Sequence, residues 1–431
     1  MASKRVWIVW LIGVFGYSVA VMQRTTFGVA GVEAARHFAA PAGIIGLFVV
    51  LQLLVYALLQ IPVGVLLDRF GSRLLLGTGA FVMFLGQVAL AFADSVPSGV
   101  IARILVGAGD AMTFSSVLRL VPSWFPAKRA PLMTQLTGLL GQSGQIASTI
   151  PFAMVLVGAG WRPAFLAAAA VSLLAMVLTL AFVRNSPGPG RTRLPEHEAI
   201  DADLRAKLRA VWSHPGTRLG LWTHFTTCFS PIAFAMMWGF PYLTAGESLT
   251  RPQASALMTI FVVSGLVVGP TLGVLTDRHP LRRSNLAFAV VAGEVIPWIV
   301  VLLWPGAAPI WLLAILMVGV SAGGPGSAIG FDFARTFVPA HRLGTATGIV
   351  IMGGFGGALV TILLAGVVLD LGGGYDLTTF RWAMATQLPL FAIGIVGMYR
   401  SRAKVRARMA HEDGINVAPL GNAIAARFRR R

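Results

Sequence analysis

Apolar runs of about 20 residues recur along nearly the whole chain, separated by short polar breaks, and about 20 residues of helix cross the hydrocarbon core of a bilayer. They predict twelve spans, near residues 6–30, 43–66, 74–94, 98–120, 132–156, 163–183, 218–243, 254–276, 284–304, 310–334, 344–369 and 380–400. The first run is too long for the apolar core of a secretory signal and is followed by charged sequence, so it is expected to remain as a membrane helix.

The longest polar stretch, Asn185 to Thr217, contains Pro187, Pro189 and Pro195 and divides the spans six and six. The expected organisation is a first half over 1–184, a cytoplasmic linker over 185–217 with a short surface helix from Glu196 to Trp212, a second half over 218–400 and a basic tail over 401–431. An internal repeat supports the division. Gly64-Val-Leu-Leu-Asp68-Arg69, after the second span, recurs as Gly273-Val-Leu-Thr-Asp277-Arg278 after the eighth; Pro126-Ala-Lys-Arg129 recurs as Pro339-Ala-His-Arg342 after the tenth. Two homologous halves imply a site near the midplane between them.

Composition agrees with lipid as the natural solvent: 56% of the 431 residues are hydrophobic and 12% charged, and the mean hydropathy is +0.78. A net charge of +18 could signal nucleic acid, but 27 of the 34 lysines and arginines fall in alternate loops, the linker and the ends. That is the bias of loops kept on the cytoplasmic side, so both termini are expected there, in a multi-pass protein of the cell's inner membrane, with the basic tail on the anionic leaflet and no nucleic-acid partner. Cys228 is the single cysteine and excludes an intramolecular disulfide.

At the loop after the second span, Gly64, Asp68, Arg69, Gly71 and Arg73 fit the pattern G-x-x-x-D-R-x-G-x-R, which resembles the signature of the major facilitator superfamily. Arg103 with Gly107 and Gly109 is similar to that superfamily's fourth-helix motif. The resemblance implies an all-α fold of twelve transmembrane helices in two six-helix bundles. It also implies a gating role for Asp68, Arg69, Gly71 and Arg73, and for Asp277 and Arg278 in the second copy, where His279 and Pro280 replace the expected loop glycine. The fifth span has Gly141, Gln142, Gly144 and Gln145 in place of the glycine-proline pair of drug/proton antiporters.

Ionisable groups at membrane depth are costly, about 2.5 to 3.5 kcal/mol on insertion scales, so each needs a reason. Arg24, within Gln23-Arg24-Thr25-Thr26, resembles the first-helix arginine of the superfamily's organic-anion and organophosphate branches, which implies contact with an anionic substrate; its alternative is snorkelling to the headgroups. Asp110 lies seven residues after Arg103 on one face, two turns away, too far for a direct contact. It is a proton-coupling candidate, or else an ion-pair partner of Arg24 or Arg119. Glu294 is expected in a structural or accessory role, or as a second proton-coupling candidate after Asp110, and His224 as a proton relay or a hydrogen-bonded histidine. Asp332 and Arg335, three apart, predict an intrahelical salt bridge. Gln52, Tyr56 and Gln60 recur every four residues, and Gln135, Gln142, Gln145 and Thr149 follow helical spacing; such stripes line a wet cavity or bind helices together, and Gln52, Tyr56, Gln142 and Gln145 are the substrate-binding candidates among them. Gly353, Gly354, Gly356 and Gly357 predict close packing or bending of the eleventh span.

No phosphate-binding loop, H-E-x-x-H, G-x-S-x-G or metal-ligand cluster is present, which argues against an ATP-driven pump and a membrane enzyme. The expected function is secondary transport of a small polar or anionic organic solute by alternating access, coupled to protons, with efflux of drugs or metabolites as the alternative. The expected partners are the lipid bilayer, a small-molecule substrate and protons; no cofactor or metal is expected, and the protein is expected to be a monomer.

Overall fold

The computed structural model describes residues 4–40, 42–187, 204–372 and 376–417. The expected linker helix is described from Leu204 to Ser213, and the rest of it, like the tail from residue 418, lies outside the described residues.

Among the described residues ten helices are long and apolar enough to cross a membrane, and they account for eleven of the twelve predicted spans. Spans two and three run as one element from Ala42 to Ala91, bent at Gly71, whose φ of 79° is left-handed and open to glycine at little cost. The seventh predicted span is the twelfth crossing, and it is interrupted: Pro215–Ala233 is followed by widened π-helical turns at Phe234–Trp238 and Tyr242–Gly246, with Pro231 and Pro241 removing helical donors. The other spans are Lys4–Val29 (first), Val96–Ala111 resumed at Phe114–Trp124 (fourth), Ala130–Ala159 in four pieces (fifth), Trp161–Phe182 (sixth), Arg251–Arg278 (eighth), Arg283–Leu303 (ninth), Ile310–Phe337 (tenth), Leu343–Leu371 (eleventh) and Leu377–Ala385 with Gln387–Glu412 (twelfth).

Both described ends, with the bend at Gly71 and the turns Ala127–Arg129, Pro280–Arg282 and Ala340–Arg342, lie on one face of the bundle, here called the terminal face. Small residues decide where helices approach. A β-carbon on Gly107 would sit 2.7 Å from the carbonyl oxygen of Gln52, and one on Gly109 would sit 2.5 Å from that of Gly79, so the fourth span packs backbone to backbone on the second and third.

The same device joins the two sets of six helices. Gly64 of the second span meets the Gly344 carbonyl of the eleventh, Gly348 meets the Gln60 carbonyl, and Gly273 of the eighth packs on Leu132 and Gln135 of the fifth. Gln135 Nε2 donates to the Pro325 carbonyl of the tenth span at 2.7 Å. Rings meet at Phe114 and Phe331 and, deeper, at Tyr56 and Phe355. Every hydrogen bond or ring contact between the halves among the described residues lies toward the terminal face or at mid-depth, whereas residues 143–159 of the fifth span pack on the first and sixth spans of their own half. A cleft therefore opens between the halves away from the termini.

Candidate transport site

The first span carries Gln23-Arg24-Thr25-Thr26 into the first half, and the structure gives each of these side chains a partner. Arg24 donates through Nε and Nη2 to the two oxygens of Asp110, at 2.7 and 2.9 Å, a bidentate pair with the carboxylate side chain 1% exposed. Its guanidinium lies 4.9 Å from the Tyr56 ring centre and 5.8 Å from that of Phe355, two rings 4.6 Å apart. Tyr56 belongs to the second span and Phe355 to the eleventh, so the pair sits at the seam of the halves. Arg24 is thereby held inside the bundle and does not reach toward the headgroups.

Asp110 stands at the end of one helical piece. The fourth span breaks at Met112 and Thr113, and the Thr113 hydroxyl donates to the Asp110 carbonyl at 2.7 Å. Arg103, two turns earlier, does not touch Asp110; the two share Arg24, whose carbonyl accepts from Arg103 Nη2 at 3.2 Å. Arg103 is fully buried over the Phe27 ring and also donates to the Gln23 carbonyl and to Gln52 Oε1. Gln52 thus answers Arg103 inside the half, with its amide nitrogen left unpaired, and offers nothing to the cleft. Gln60 likewise turns back to the Tyr56 carbonyl.

A neutral network lies behind the pair. Gln23 Nε2 donates to Ser172 Oγ and the Ala168 carbonyl of the sixth span, and Gln87 Nε2 of the third donates to Gln23 Oε1 at 2.7 Å. Sequence reasoning passed over Gln23 and Gln87; an amide at membrane depth beside Arg24 was the available signal. Hydroxyls close the first span on the fifth, Ser18 with Ser143 at 2.9 Å and Thr25 with Ser148 at 2.7 Å, while Gly141 and Gly144 admit Tyr17 and the Ser18 carbonyl.

Gln135, Gln142 and Thr149 are seven residues apart and share one face of the fifth span. Gln135 is sealed against the tenth span, whereas Gln142 and Thr149, with Gln145, are exposed where the halves stand apart. His224 and Glu294 lie elsewhere, inside the second half. The His224 ring is 5.0 Å from Phe331 with Nδ1 unpaired, and Glu294, fully buried beside Gly323, has neither carboxyl oxygen hydrogen-bonded. Neither is brought to the Arg24–Asp110 pair.

At the terminal face Asp68 crosses the seam. It accepts from the Gly344 amide at 2.7 Å, the Thr345 amide at 2.9 Å and the Thr345 hydroxyl at 2.6 Å, in the first turn of the eleventh span, and from Arg119 at 3.2 Å. Its loop neighbours act within the first half: the Arg73 amide donates to Asn185 Oδ1, the Arg73 side chain to the Leu180 carbonyl, and Arg69 is exposed beside the Phe70 ring. In the second copy Asp277 makes no ion pair among the described residues, and Arg278 is exposed. Asp332 and Arg335 form an intrahelical pair at 2.8 Å, with Arg283 donating to the Asp332 carbonyl.

Two six-helix sets meeting at a charged seam form an architecture that places a solute site between the halves. Residues 13–245 and 223–429 match the sequence profile of the Major Facilitator Superfamily, and the chain belongs to that family. It is 28% identical over 282 residues to a protein of Cupriavidus necator named as a probable sulfoacetate transporter, a match covering 63% of this chain and 65% of that one. It is 23% identical over 416 residues to the probable galactarate/D-glucarate transporter GudP of Escherichia coli K12, covering 87% and 89%. The hexuronate transporter of Bacillus subtilis strain 168 is 27% identical over 237 residues, covering 52% and 53%. Among solved structures, the transporter FucP in the outward conformation shares the fold with a TM-score of 0.71, at 15% identity, over 92% of this chain and 99% of that one. The family and these relatives are transporters rather than enzymes.

Proposed function

We propose that the protein is a proton-coupled secondary transporter of a small organic anion, working by alternating access. Arg24 is the group that receives the anion and Asp110 the proton acceptor that competes for it. The observation that carries this reading is the bidentate Arg24–Asp110 pair under Tyr56 and Phe355 at the seam. With Asp110 ionised, its two oxygens occupy the guanidinium fork. A proton on Asp110 removes the charge that holds the pair and releases a planar donor face suited to carboxylate, sulfonate or phosphate oxygens. Because Phe355 belongs to the other half, occupancy at Arg24 is felt on both sides of the seam.

The bias of lysine and arginine toward its loops supports a cytoplasmic position for the terminal face. The cleft is then open outward, with the Asp68 contacts as the closed inner gate and Gln142 and Gln145 on its wall. Relatives named for sulfoacetate, galactarate/D-glucarate and hexuronate support an acid as substrate. The drug-efflux alternative is not favoured by those names or by a paired arginine at the seam.

The test is binding and melting temperature of purified protein with sulfoacetate, D-glucarate and D-glucuronate as probes. Arg24→Ala is expected to abolish the anion-dependent stabilisation, and Arg24→Lys to weaken it about tenfold, since lysine keeps the charge without the fork. Arg24→Ala also strands a buried carboxylate, lowering stability by about 3 to 5 kcal/mol, which a second change, Asp110→Asn, restores. Full anion affinity in Arg24→Ala would overturn the assignment.

A further inference from the structure

On the terminal face the ninth and twelfth spans gather three arginines that no carboxylate answers among the described residues. Arg282 immediately precedes the ninth span, while Arg402 and Arg406, one turn apart, lie near the end of the twelfth. Arg402 donates through Nη2 to Asn285 Oδ1 at 2.5 Å, and its guanidinium lies 5.5 Å from the Phe288 ring centre. Arg406 is near enough to both Arg282 and Arg402 for the like charges to repel. None of the three takes part in a salt bridge among the described residues; the neighbouring Arg408 instead pairs with Glu412 at 2.8 Å. Three donors in this cluster, Arg282 Nη1, Asn285 Nδ2 and Arg402 Nε, are buried without an acceptor.

Buried N–H groups without acceptors and cations without an anion are both unfavourable, and one ligand removes both defects: an anion with several acceptor oxygens. The flank of the cluster indicates the source of that anion. Ile393, Val396 and Tyr399, three residues apart on the twelfth span, are 53%, 49% and 67% exposed, an apolar track that ends in a tyrosine. Exposed tyrosine at the end of a span marks the headgroup level. We propose that the Arg282–Asn285–Arg402–Arg406 cluster binds the phosphate of an anionic phospholipid in the leaflet at the terminal face, with an acyl chain along Ile393 and Val396. A soluble phosphate would use the donors but not the track.

The experiment measures melting temperature of the delipidated full-length protein in neutral detergent, titrated with dioleoylphosphatidylglycerol, dioleoylphosphatidylcholine or inorganic phosphate. Phosphatidylglycerol is expected to stabilise selectively. Arg282→Gln with Arg406→Gln should weaken its apparent affinity about thirtyfold, because two cationic side chains no longer meet the phosphate, while the lipid-free melting temperature stays or rises as repulsion is relieved. Arg408→Gln makes the same kind of charge change outside the cluster and should leave the lipid effect intact. Arg406→Gln alone serves if the double variant does not fold. Equal stabilisation by phosphatidylcholine, full reproduction by inorganic phosphate, or an unaltered phosphatidylglycerol effect in the variants would each overturn the proposal.

Discussion

A guanidinium offers one planar fork, and here Asp110 holds it. At the residue scale, the function proposed above makes Asp110 both the brake on anion binding and the group whose proton lifts it. Asp110→Asn is neutral at all pH values and leaves the Arg24 fork open. The expected outcome in proteoliposomes is retained exchange of labelled substrate for unlabelled, with loss of accumulation driven by a pH gradient. Wild-type accumulation by the variant would remove Asp110 from the coupling path. Both charged residues were legible in the sequence because ionisable groups at membrane depth stand out by cost. Their pairing was one of several alternatives, since residues 86 apart in sequence meet only through the packing of the first and fourth spans. Gln52 shows the limit: its spacing with Tyr56 suits a cavity stripe, yet Arg103 claims it inside the half.

Two copies of one loop behave differently at the element scale. Asp68 meets the amides of Gly344 and Thr345 and the Arg119 guanidinium. The 213-residue offset that carries Pro126-Ala-Lys-Arg129 onto Pro339-Ala-His-Arg342 places Pro131 at the position of Gly344, Leu132 at that of Thr345, and Asp332 at that of Arg119. Proline has no amide hydrogen, leucine no hydroxyl, and Asp332 would repel Asp277 where Arg119 attracts Asp68. The second copy keeps its close approach, Gly273 on Leu132 and Gln135, without the hydrogen bonds. Asp68→Asn forfeits charge-assisted bonds worth about 1.5 to 3 kcal/mol each. Initial uptake rates should therefore fall about tenfold or more for Asp68→Asn, with substrate affinity within a few fold, and change by less than about twofold for Asp277→Asn. Equal losses for the two would show that the copies are equivalent. The repeat was readable in the sequence; its asymmetry required knowing which atoms Asp68 meets.

For the whole molecule, the halves are joined toward the terminal face and parted away from it, and the fifth span samples both environments along one face. Cysteine placed at Gln142 should react readily with a membrane-impermeant maleimide added from the side opposite the termini, and cysteine at Gln135 about tenfold more slowly or not at all. Cys228→Ser is the background for both, and Cys228 is itself buried. Substrate should protect Gln142→Cys by closing the cleft over it. Comparable labelling at the two positions would mean that no such cleft exists in the membrane.

The membrane, the twelve crossings and the two-fold repeat follow from the sequence, because run length, charge bias and internal similarity are one-dimensional properties set by the thickness of lipid and the cost of burying charge. The bend at Gly71 and the broken seventh span were outside its reach: the first depends on a left-handed φ and the second on prolines whose effect is local and graded. Which arginine meets which carboxylate, which glutamine turns inward, and which copy of the loop grips its neighbour were decided only by tertiary structure. Those choices turn on separations of a few ångströms between helices far apart in sequence, where a glycine admits a backbone and a proline withholds a hydrogen bond.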